Sequence, residues 1–434
     1  MRFQAWFECF SGCGVRHSLE DIIYRCERCD GLLEVRHDMS ALMSRSASEW
    51  RQLFDARLGR GSGVWSKKEL VLPELDPSKV VSLGEGNSPL IQSDGFARSL
   101  GVDQVHIKQC GTSHTGSFKD LGMTVLVSMV NQIRQKVRAV ACASTGDTSA
   151  SVAAYCAAAG IPSIVFLPKD KVSIAQLLQP IANGSITLSL PTDFDGCMKI
   201  VRQITSDGSI YLANSMNSLR VEGQKTISFE IAQQLNWQTP DFIVVPGGNL
   251  GNISAIGHGF LQMRELGLVD RIPRLVCAQV EQANPLYRSY QAGFGTLDAV
   301  PAGDTLATAI QIGNPVSFEK AIKVLKLTNG IVEQANDFEL ADAAAKADRF
   351  GFFNDPQTGV ALAATMKLVR TGAIPKSANV VVISTAHGLK FMEFKRRYHE
   401  KQIPQTDASL ANLPIEVPAN LDAVRSAIDG RLPA

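Results

Sequence analysis

Residues 111–122 read GTSHTGSFKDLG, a glycine-rich turn on which the predicted fold depends. Small and hydroxylated residues surround a single lysine, Lys119. Ser117 is a suitable N-cap, and the apolar run at residues 121–130 behind it predicts a helix. We therefore expect Lys119 at or near the start of a helix. A lysine in a turn is usually a solvated, inert side chain, so other stretches must decide its role.

Predicted strands and helices alternate along most of the chain. A strand followed by a glycine-rich turn is predicted at residues 80–90. Further strands are predicted at residues 106–108, 138–143, 163–167, 185–190, 209–212, 242–245, 274–280 and 379–384. Helices are predicted at residues 48–57, 152–159, 173–181, 195–206, 224–235, 253–266, 337–349 and 360–370. Strands that alternate with helices indicate an α/β protein with largely parallel sheets.

The composition excludes several classes of function. The chain has 434 residues, of which 45% are apolar and 20% charged, and its formal net charge is +1. These values predict two or three domains and give no case for a nucleic-acid partner. The longest apolar runs are too short to cross a bilayer, so no membrane partner is expected. The first residues resemble neither a secretory signal nor a transit peptide, which predicts a cytoplasmic protein.

The nine cysteines fall into two groups. Cys9, Cys13, Cys26 and Cys29 form two close pairs, a spacing that can place four thiolates around zinc. Ligands that are all cysteine leave no open coordination position, so such a zinc would be structural. Free thiols, or a metal-free module folded by its apolar residues, are the alternatives. The other cysteines are scattered through mostly apolar stretches, and the odd total favours a reducing compartment.

A glycine-rich loop at residues 246–252, PGGNLGN, joins a predicted strand to a predicted helix. Such a loop can bind an anion, because glycines allow close approach and the helix start offers free N–H groups. The pattern matches neither a dinucleotide fingerprint nor a P-loop, so a single phosphate monoester fits it best. An ordinary strand–helix turn is the alternative.

Two more stretches, ASTGDTS at residues 143–149 and STAHGLK at residues 384–390, also follow predicted strands. Hydroxyl groups at a helix start can bind a carboxylate or phosphate, although over-provided N-capping also explains the first stretch. Ligands of parallel α/β sheets bind outside the carboxyl ends of the strands. We therefore expect these loops to converge on one site that includes Lys119.

Together these motifs resemble threonine synthase, a pyridoxal-phosphate enzyme of the tryptophan-synthase-β fold family, and are most similar to its plant-type branch. The resemblance covers residues 83–398 and rests on HTGSFKDLGM, CASTGDTSAS, ANSMNSLRVEGQKT, PGGNLGN and STAHGLKF. It implies fold type II, with two parallel-sheet α/β domains. The implied parts are a zinc-ribbon-like module (1–36), a linking arm (37–80), a large domain (81–117 and 216–400), a small domain (118–215) and a peripheral tail (401–434).

The resemblance also implies roles for individual residues. Lys119 would form the Schiff base with pyridoxal phosphate, and Asp147 would face the 3′-oxygen of this cofactor. Thr385, with Ser384 as its neighbour, would hydrogen-bond the pyridine nitrogen, without keeping it protonated as an aspartate would. The cofactor phosphate would be cradled by Gly248, Asn249, Leu250, Gly251 and Asn252. The substrate's carboxylate or phosphate would bind Ser144 and Thr148, and its phosphate Asn214, Ser215 and Arg220.

The implied reaction is a β,γ-replacement that converts O-phospho-L-homoserine and water to L-threonine and phosphate, and we expect a homodimer. Asp147 stands where many threonine synthases carry asparagine, and the cysteine module is similar to that of bacterial and archaeal relatives. One alternative is a related β-replacement enzyme or dehydratase acting on phosphoserine, serine or threonine, such as cysteate synthase. Another is a non-catalytic binding protein on the same fold, against which Lys119 argues.

Overall fold

The computed structural model describes residues 2–144, 146–169 and 174–432, which form three β-sheets and the helices around them. The N-terminal sheet contains β1 (Ala5–Cys9), β2 (Arg16–His17) and β3 (Leu33–His37). It is antiparallel, with strand order β2-β1-β3. Buried and half-buried residues alternate along β1 and β3, so one face of the sheet packs against the rest of the protein.

Two helices, α1 (Met39–Leu42) and α2 (Ala47–Arg57), follow this N-terminal sheet. Ser46 and Glu49 form a capping box at the start of α2. The range of α2 confirms the helix predicted at residues 48–57, and the helix buries Trp50 against the core.

The predicted strand at the start of residues 80–90 is wrong. The next regular elements are β4 (Leu90–Gln92), α3 (Asp94–Leu100), β5 (Gln104–Gln109) and α4 (Lys119–Gln132). The N–H of Val81 donates to Ser128 Oγ at 2.8 Å, and its carbonyl accepts from Thr124 Oγ1 at 2.6 Å. Side chains of α4 therefore satisfy backbone groups that a neighbouring strand would otherwise bind, and the segment stays irregular.

The second sheet has four parallel strands in the order β8-β7-β6-β9. Its strands and connecting helices are β6 (Ala139–Ala143), α5 (Asp147–Ala158), β7 (Ser163–Pro168), α6 (Ile174–Ala182), β8 (Ile186–Leu190), α7 (Phe194–Ile204) and β9 (Ile210–Leu212). Each was predicted, although α5 begins five residues earlier than expected, at Asp147 instead of Val152. Thr145 of the predicted turn and Ser173, the predicted first residue of α6, lie outside the described residues.

The third sheet has six strands in the order β12-β11-β10-β13-β5-β4, and only the edge strand β4 runs antiparallel to its neighbour. Its remaining elements are α8 (Ser218–Gln224), α9 (Thr226–Gln234), β10 (Phe242–Pro246), α10 (Gly251–Glu265), β11 (Arg274–Val280), α11 (Pro285–Gln291), α12 (Phe318–Leu327), β12 (Ile331–Ala335), α13 (Asp337–Asp348), α14 (Pro356–Arg370), β13 (Asn379–Ser384) and α15 (Met392–His399). The predicted α/β class with parallel sheets is confirmed.

Five of these remaining elements were not predicted: α8, α11, α12, β12 and α15. No helix was predicted between the strand at residues 209–212 and the helix at residues 224–235, whereas Asn217 caps α8 by accepting from the N–H of Leu219 at 3.0 Å. A single helix was expected at residues 224–235, and the structure instead has α8 and α9 in succession. Arg220 therefore projects from a helix and not from a loop.

The C-terminal tail contains one helix, α16 (Leu421–Asp429), none of whose residues is buried. Within the described part of the chain, no helix is both long and apolar enough to span a membrane.

Candidate active site

Lys119 is the first residue of α4, as predicted, but Phe118 instead of Ser117 occupies the N-cap position. Phe118 already has helical backbone angles, so the helix begins one residue away from the expected cap. Ser117 still contributes, because its Oγ accepts from the N–H of Lys119 at 3.2 Å.

The amine of Lys119 lies in a partly desolvated position. Burial lowers the pKa of Lys119 to about 8, and the nearby cation Arg220 adds to this shift, whereas Asp147 and Asp355 oppose it. Its Nζ lies 3.8 Å from the centroid of the Phe118 ring and makes no hydrogen bond to the side chains and backbone that the structure describes. A lysine with such a pKa can act as a nucleophile and as a base near neutral pH.

The turn before Lys119 is held by a buried carboxylate. Asp120 accepts from the N–H of Thr115 at 2.7 Å, from Thr115 Oγ1 at 2.6 Å and from Ser151 Oγ at 2.7 Å. Because Ser151 lies on α5, Asp120 ties the Lys119 turn to the helix that follows the 143–149 stretch.

The 384–390 loop packs directly against the same turn. The N–H of Phe118 donates to the carbonyl of Thr385 at 2.9 Å, and the N–H of His387 donates to the carbonyl of Gly116 at 2.9 Å. Gly111 allows this approach, since a Cβ there would lie 2.4 Å from the carbonyl carbon of Ala386. The structure thus brings the two predicted stretches into contact.

Lys390 and Asp355 were missed by the sequence analysis as members of the site. Lys390 Nζ lies 3.3 Å from Asp147 Oδ1 and donates to the carbonyl of Thr115 at 2.9 Å. Asp355 accepts from Thr385 Oγ1 at 3.0 Å, and Ser384 Oγ donates to the neighbouring Asn354 at 2.8 Å. Lys390 belongs to a motif that the analysis quoted, but Asp355 precedes a proline far from every motif.

The glycine loop lies at the carboxyl end of β10, as predicted, and Leu250 adopts a left-handed backbone with φ of 65° before α10. Both polar atoms of the Asn252 side chain lack a partner among the described residues, although Asn252 is only 7% exposed. Gly248 lies close to the backbone of Ile310, because a Cβ at Gly248 would lie 2.9 Å from Ile310 Cα. The N–H of Ser317 donates to the carbonyl of Asn249 at 3.1 Å, so residues 307–317, which the sequence analysis left unassigned, back this loop.

The proposed carboxylate- and phosphate-binding residues meet at the ends of β6 and β9. Arg220 is 4% exposed; its Nη1 donates to the carbonyl of Ala213 at 3.0 Å and its Nη2 to Thr148 Oγ1 at 3.4 Å. Asn214 binds the N–H and the carbonyl of Ala143 at 3.0 and 2.7 Å. Ser144 Oγ accepts from the N–H of Ser149 at 3.2 Å.

Ser215 is half-buried beside these residues. Arg220 is not a surface residue paired with the nearby Glu222, because Arg220 is buried and Glu222 bonds to Lys225 instead. Arg220 also lies close to the Lys119 turn, since a Cβ at Gly122 of α4 would lie 2.9 Å from Arg220 Cα.

The four N-terminal cysteines come together as predicted. The sulfur atoms of Cys9, Cys13, Cys26 and Cys29 lie within 4.8 Å of one another. Four thiolates in such a group are a donor set that zinc favours, so the cluster can hold this metal.

The cysteine module is joined to the rest of the protein through β3. The carbonyl of Leu33 accepts from Ser218 Oγ at 2.5 Å, at the start of α8, and from Lys320 Nζ at 2.6 Å, on α12. His37 Nε2 lies 3.0 Å from Glu222 Oε2 on α8. The module therefore contacts the helix that carries Arg220.

Comparison with known proteins gives a consistent result. A family model described as "Pyridoxal-phosphate dependent enzyme" matches residues 81–386. Threonine synthase 2, chloroplastic, of Arabidopsis thaliana is 56% identical over 418 residues, which cover 94% of this chain and 81% of that protein. Threonine synthase of Methanocaldococcus jannaschii is 39% identical, with 90% of this chain and 94% of that protein covered. The chain belongs to the threonine synthase family of pyridoxal-phosphate enzymes.

Solved structures agree with this family at the level of the fold. A threonine synthase from Escherichia coli superposes with a TM-score of 0.68 and 19% identity, covering 98% of this chain and all of that one (100%). Maize serine racemase superposes with a TM-score of 0.61 and 17% identity, covering 79% of this chain and 99% of that one. The predicted α/β fold of type II, with two parallel sheets and a small cysteine module, is confirmed.

The site of this threonine synthase family member fits the cofactor. Pyridoxal phosphate needs an amine to bond with and donors for a phosphate. Lys119 supplies the amine. The Asn252 amide beside the glycine loop has no partner within the part of the chain that the structure describes, and it supplies a donor whose burial costs free energy unless a ligand binds it.

Proposed function

We propose that this protein converts O-phospho-L-homoserine and water to L-threonine and phosphate, as a carbon–oxygen lyase acting on a phosphate ester. The observation that carries the proposal is the position of Lys119. Its amine lies at a helix start, its pKa is lowered to about 8, and Arg220 lies close enough to affect that pKa. One deprotonatable amine is thus placed beside a buried cation suited to a phosphorylated substrate.

The cofactor would be held by three groups of residues. Lys119 would bond to it covalently, and Asp147 would face its 3′-oxygen. Thr385, beside Ser384, would meet its ring nitrogen. Its phosphate would bind the loop formed by Gly248, Asn249, Leu250, Gly251 and Asn252, at the start of α10. When bound, pyridoxal phosphate supplies a conjugated electron sink that acidifies the carbons near the substrate amine.

The substrate phosphate would bind Arg220, because a planar guanidinium matches phosphate oxygens with two parallel donors. Arg220 Nε has no partner among the described residues, so one donor remains available to a ligand. Ser144, Thr148 and Ser215 would add hydroxyl groups for the carboxylate or phosphate. Asn214 already uses its amide on Ala143, which supports a role in shaping this site from the end of β6.

Lys119 would also move protons. With its pKa lowered to about 8, a substantial fraction of the Lys119 amine is neutral near physiological pH when the amine is free. A neutral amine can take a proton from one substrate carbon and return it to another. Arg220 would hold the phosphate as it departs.

Assay of the purified protein with pyridoxal phosphate would test the proposal. Incubation with O-phospho-L-homoserine should release phosphate and form L-threonine in equal amounts, whereas O-phospho-L-serine should react far more slowly. Phosphate release from phosphoserine at the higher rate, without threonine, would instead indicate a related β-replacement enzyme or dehydratase. No turnover of either compound would contradict the proposal.

The remaining expectations are a homodimer, a reducing compartment such as the cytoplasm, and two catalytic domains formed by residues 81–117 with 216–400 and by residues 118–215. Sedimentation at several protein concentrations would test the dimer. The compartment is a separate matter, since the name of the Arabidopsis relative places that protein in the chloroplast.

A further inference from the structure

Asp355 is a buried carboxylate with two distinct uses. It is 1% exposed and lies at the N-cap of α14, where Oδ1 accepts from the N–H of Thr358 at 3.1 Å. Its other oxygen, Oδ2, accepts from Thr385 Oγ1 at 3.0 Å. An N-cap needs only the first contact. The second contact joins the carboxylate to Thr385, the residue assigned to the ring nitrogen of the cofactor.

A closed set of hydrogen bonds holds this pair in place. Thr358 Oγ1 also donates to Asp355, and it accepts from the N–H of Thr385 at 3.1 Å. The side-chain amide of Gln357 adds a further donor. Its oxygen accepts from the N–H of Ala309 at 3.0 Å, and in that orientation its nitrogen donates to Asp355 Oδ2 at 2.5 Å. Asp355 therefore receives four donors and has little freedom to move.

Asp355 has no ion-pair partner among the residues that the structure describes. Each of its four contacts is a neutral hydroxyl or amide, whereas the nearby Asp147 pairs with Lys390 at 3.3 Å. Lys119 and Lys395 interact with its charge from beyond ion-pair distance. A buried charge with no cation in direct contact is still costly, unless a ligand brings one. Burial raises the pKa of Asp355 to about 6, with the Thr358 hydroxyl opposing the shift, so the group is still ionised at neutral pH.

The ionised carboxylate dictates the direction of the Thr385 hydroxyl. A carboxylate can only accept, so the Thr385 proton points to Asp355 and its oxygen offers only lone pairs to any other neighbour. A ring nitrogen that meets those lone pairs must itself carry a proton to form a hydrogen bond. The positive charge that would come with this proton would also be favoured by the buried carboxylate of Asp355.

We propose that Asp355 is a positioning residue that acts through Thr385 to keep the ring nitrogen of pyridoxal phosphate protonated. The inference rests on the proposed function, in that Thr385 is taken to meet this nitrogen. It changes the expectation from the sequence, in which a hydroxyl alone could not favour the protonated form. Protonation of the ring strengthens its capacity to withdraw electrons from the substrate.

Nitrogen NMR of the holoenzyme tests this directly, with pyridoxal phosphate labelled with ¹⁵N in the ring. The labelled cofactor is bound to the wild type and to Asp355→Asn, which keeps a good N-cap residue. Loss of a nearby negative charge destabilises the protonated, cationic form of a base and so lowers its pKa, by about 1–3 units for groups in close proximity. We therefore expect the ring nitrogen of Asp355→Asn to titrate at a pH lower by that amount, and its resonance to move toward unprotonated pyridine.

Two further variants make the result interpretable. Asp193→Asn changes the N-cap aspartate of α7, whose side chain accepts from the N–H of Gly196, and should leave the resonance unchanged. Thr385→Val should move it as Asp355→Asn does. If Asp355→Asn does not fold, Asp355→Ser keeps a capping hydroxyl and removes the charge.

The outcomes separate this inference from the proposed function. A resonance moved by Thr385→Val but not by the Asp355 variants overturns the role of Asp355 alone. A resonance unmoved by either overturns this inference and the placement of Thr385. Threonine formation by the wild type is measured independently of both, so it decides the proposed function by itself.

Discussion

Lys390 Nζ lies 3.3 Å from Asp147 Oδ1 and so links the loop after β13 of the six-stranded sheet to the first turn of α5 beside the four-stranded sheet. The two side chains are 12% and 6% exposed. Removing one partner leaves the other charge buried, which typically costs about 3–5 kcal/mol. We expect Lys390→Met to lower the free energy of unfolding by about 3 kcal/mol. Urea denaturation would measure the loss.

The matched control for that variant is Lys199→Met, since Lys199 is an exposed lysine on α7. It should change the free energy of unfolding by less than about 0.5 kcal/mol. Equal effects of the two variants would contradict a structural role for the link between Lys390 and Asp147.

Lys119→Ala should fold and lose covalent attachment of the cofactor, because Lys119 is the amine that the site offers. Reduction of the wild-type holoenzyme with borohydride, followed by peptide mapping, should place the label on Lys119. A label on another lysine would rule out this assignment. Lys199→Met again serves as the control and should retain the label.

The lowered pKa of Lys119 predicts a dependence of stability on pH in the cofactor-free protein. Folding moves this pKa from 10.5 to about 8, so between these values the unfolded chain binds more protons than the folded protein. Stability should therefore rise with pH across that window, by up to about 3 kcal/mol from this group. Lys119→Met should remove this part of the rise. A wild-type slope unchanged by the substitution would contradict the prediction.

Arg220→Ala should lower kcat/KM for O-phospho-L-homoserine about ten- to a few-hundredfold, because a charge-assisted hydrogen bond contributes roughly 1.5–3 kcal/mol. Cofactor binding should survive, since the cofactor phosphate is assigned to residues 248–252. Arg220→Lys should recover little, because a point charge cannot replace the planar fork. Arg202→Ala, on the exposed face of α7, is the control. Normal turnover by Arg220→Ala would place the substrate phosphate elsewhere.

Metal analysis of protein purified without chelators should find about one zinc per chain, as a site of four cysteines holds. Cys26→Ser should lose it, because Cys26 is one of the four clustered thiols. Cys277→Ser, which changes a buried cysteine outside the cluster, should keep it. Metal content unaffected by Cys26→Ser would mean that the cluster is not the zinc site.

The sequence predicts what depends on local chemistry. The helix start at Lys119, the loop that ends at Asn252 and the cluster at Cys26 each follow from glycine, capping and thiol patterns over a few neighbouring residues. Residues 80–90 were harder to predict, because side chains from the distant helix α4 decide whether their backbone forms a strand.

Asp355 could not be found from the sequence for a related reason. An aspartate before a proline is typical of a helix start, and one of the Asp355 oxygens does cap α14. The use of the other oxygen depends on the side-by-side placement of α14 and the end of β13, which brings Thr385 within 3.0 Å. The helix that carries Arg220 was likewise not predicted, because it is short and begins at a cap, Asn217, that lies outside every predicted element.

The carbonyl of Leu33 binds Ser218 and Lys320, so the cysteine module braces the first turn of α8 from outside the catalytic core. Arg220 lies only two residues beyond Ser218 on that helix. If the module holds zinc and Arg220 binds the substrate phosphate, as proposed, metal occupancy would influence substrate affinity through these two hydrogen bonds. Removal of zinc would then weaken binding of the phosphorylated substrate more than binding of the cofactor, whose phosphate is assigned to residues 248–252.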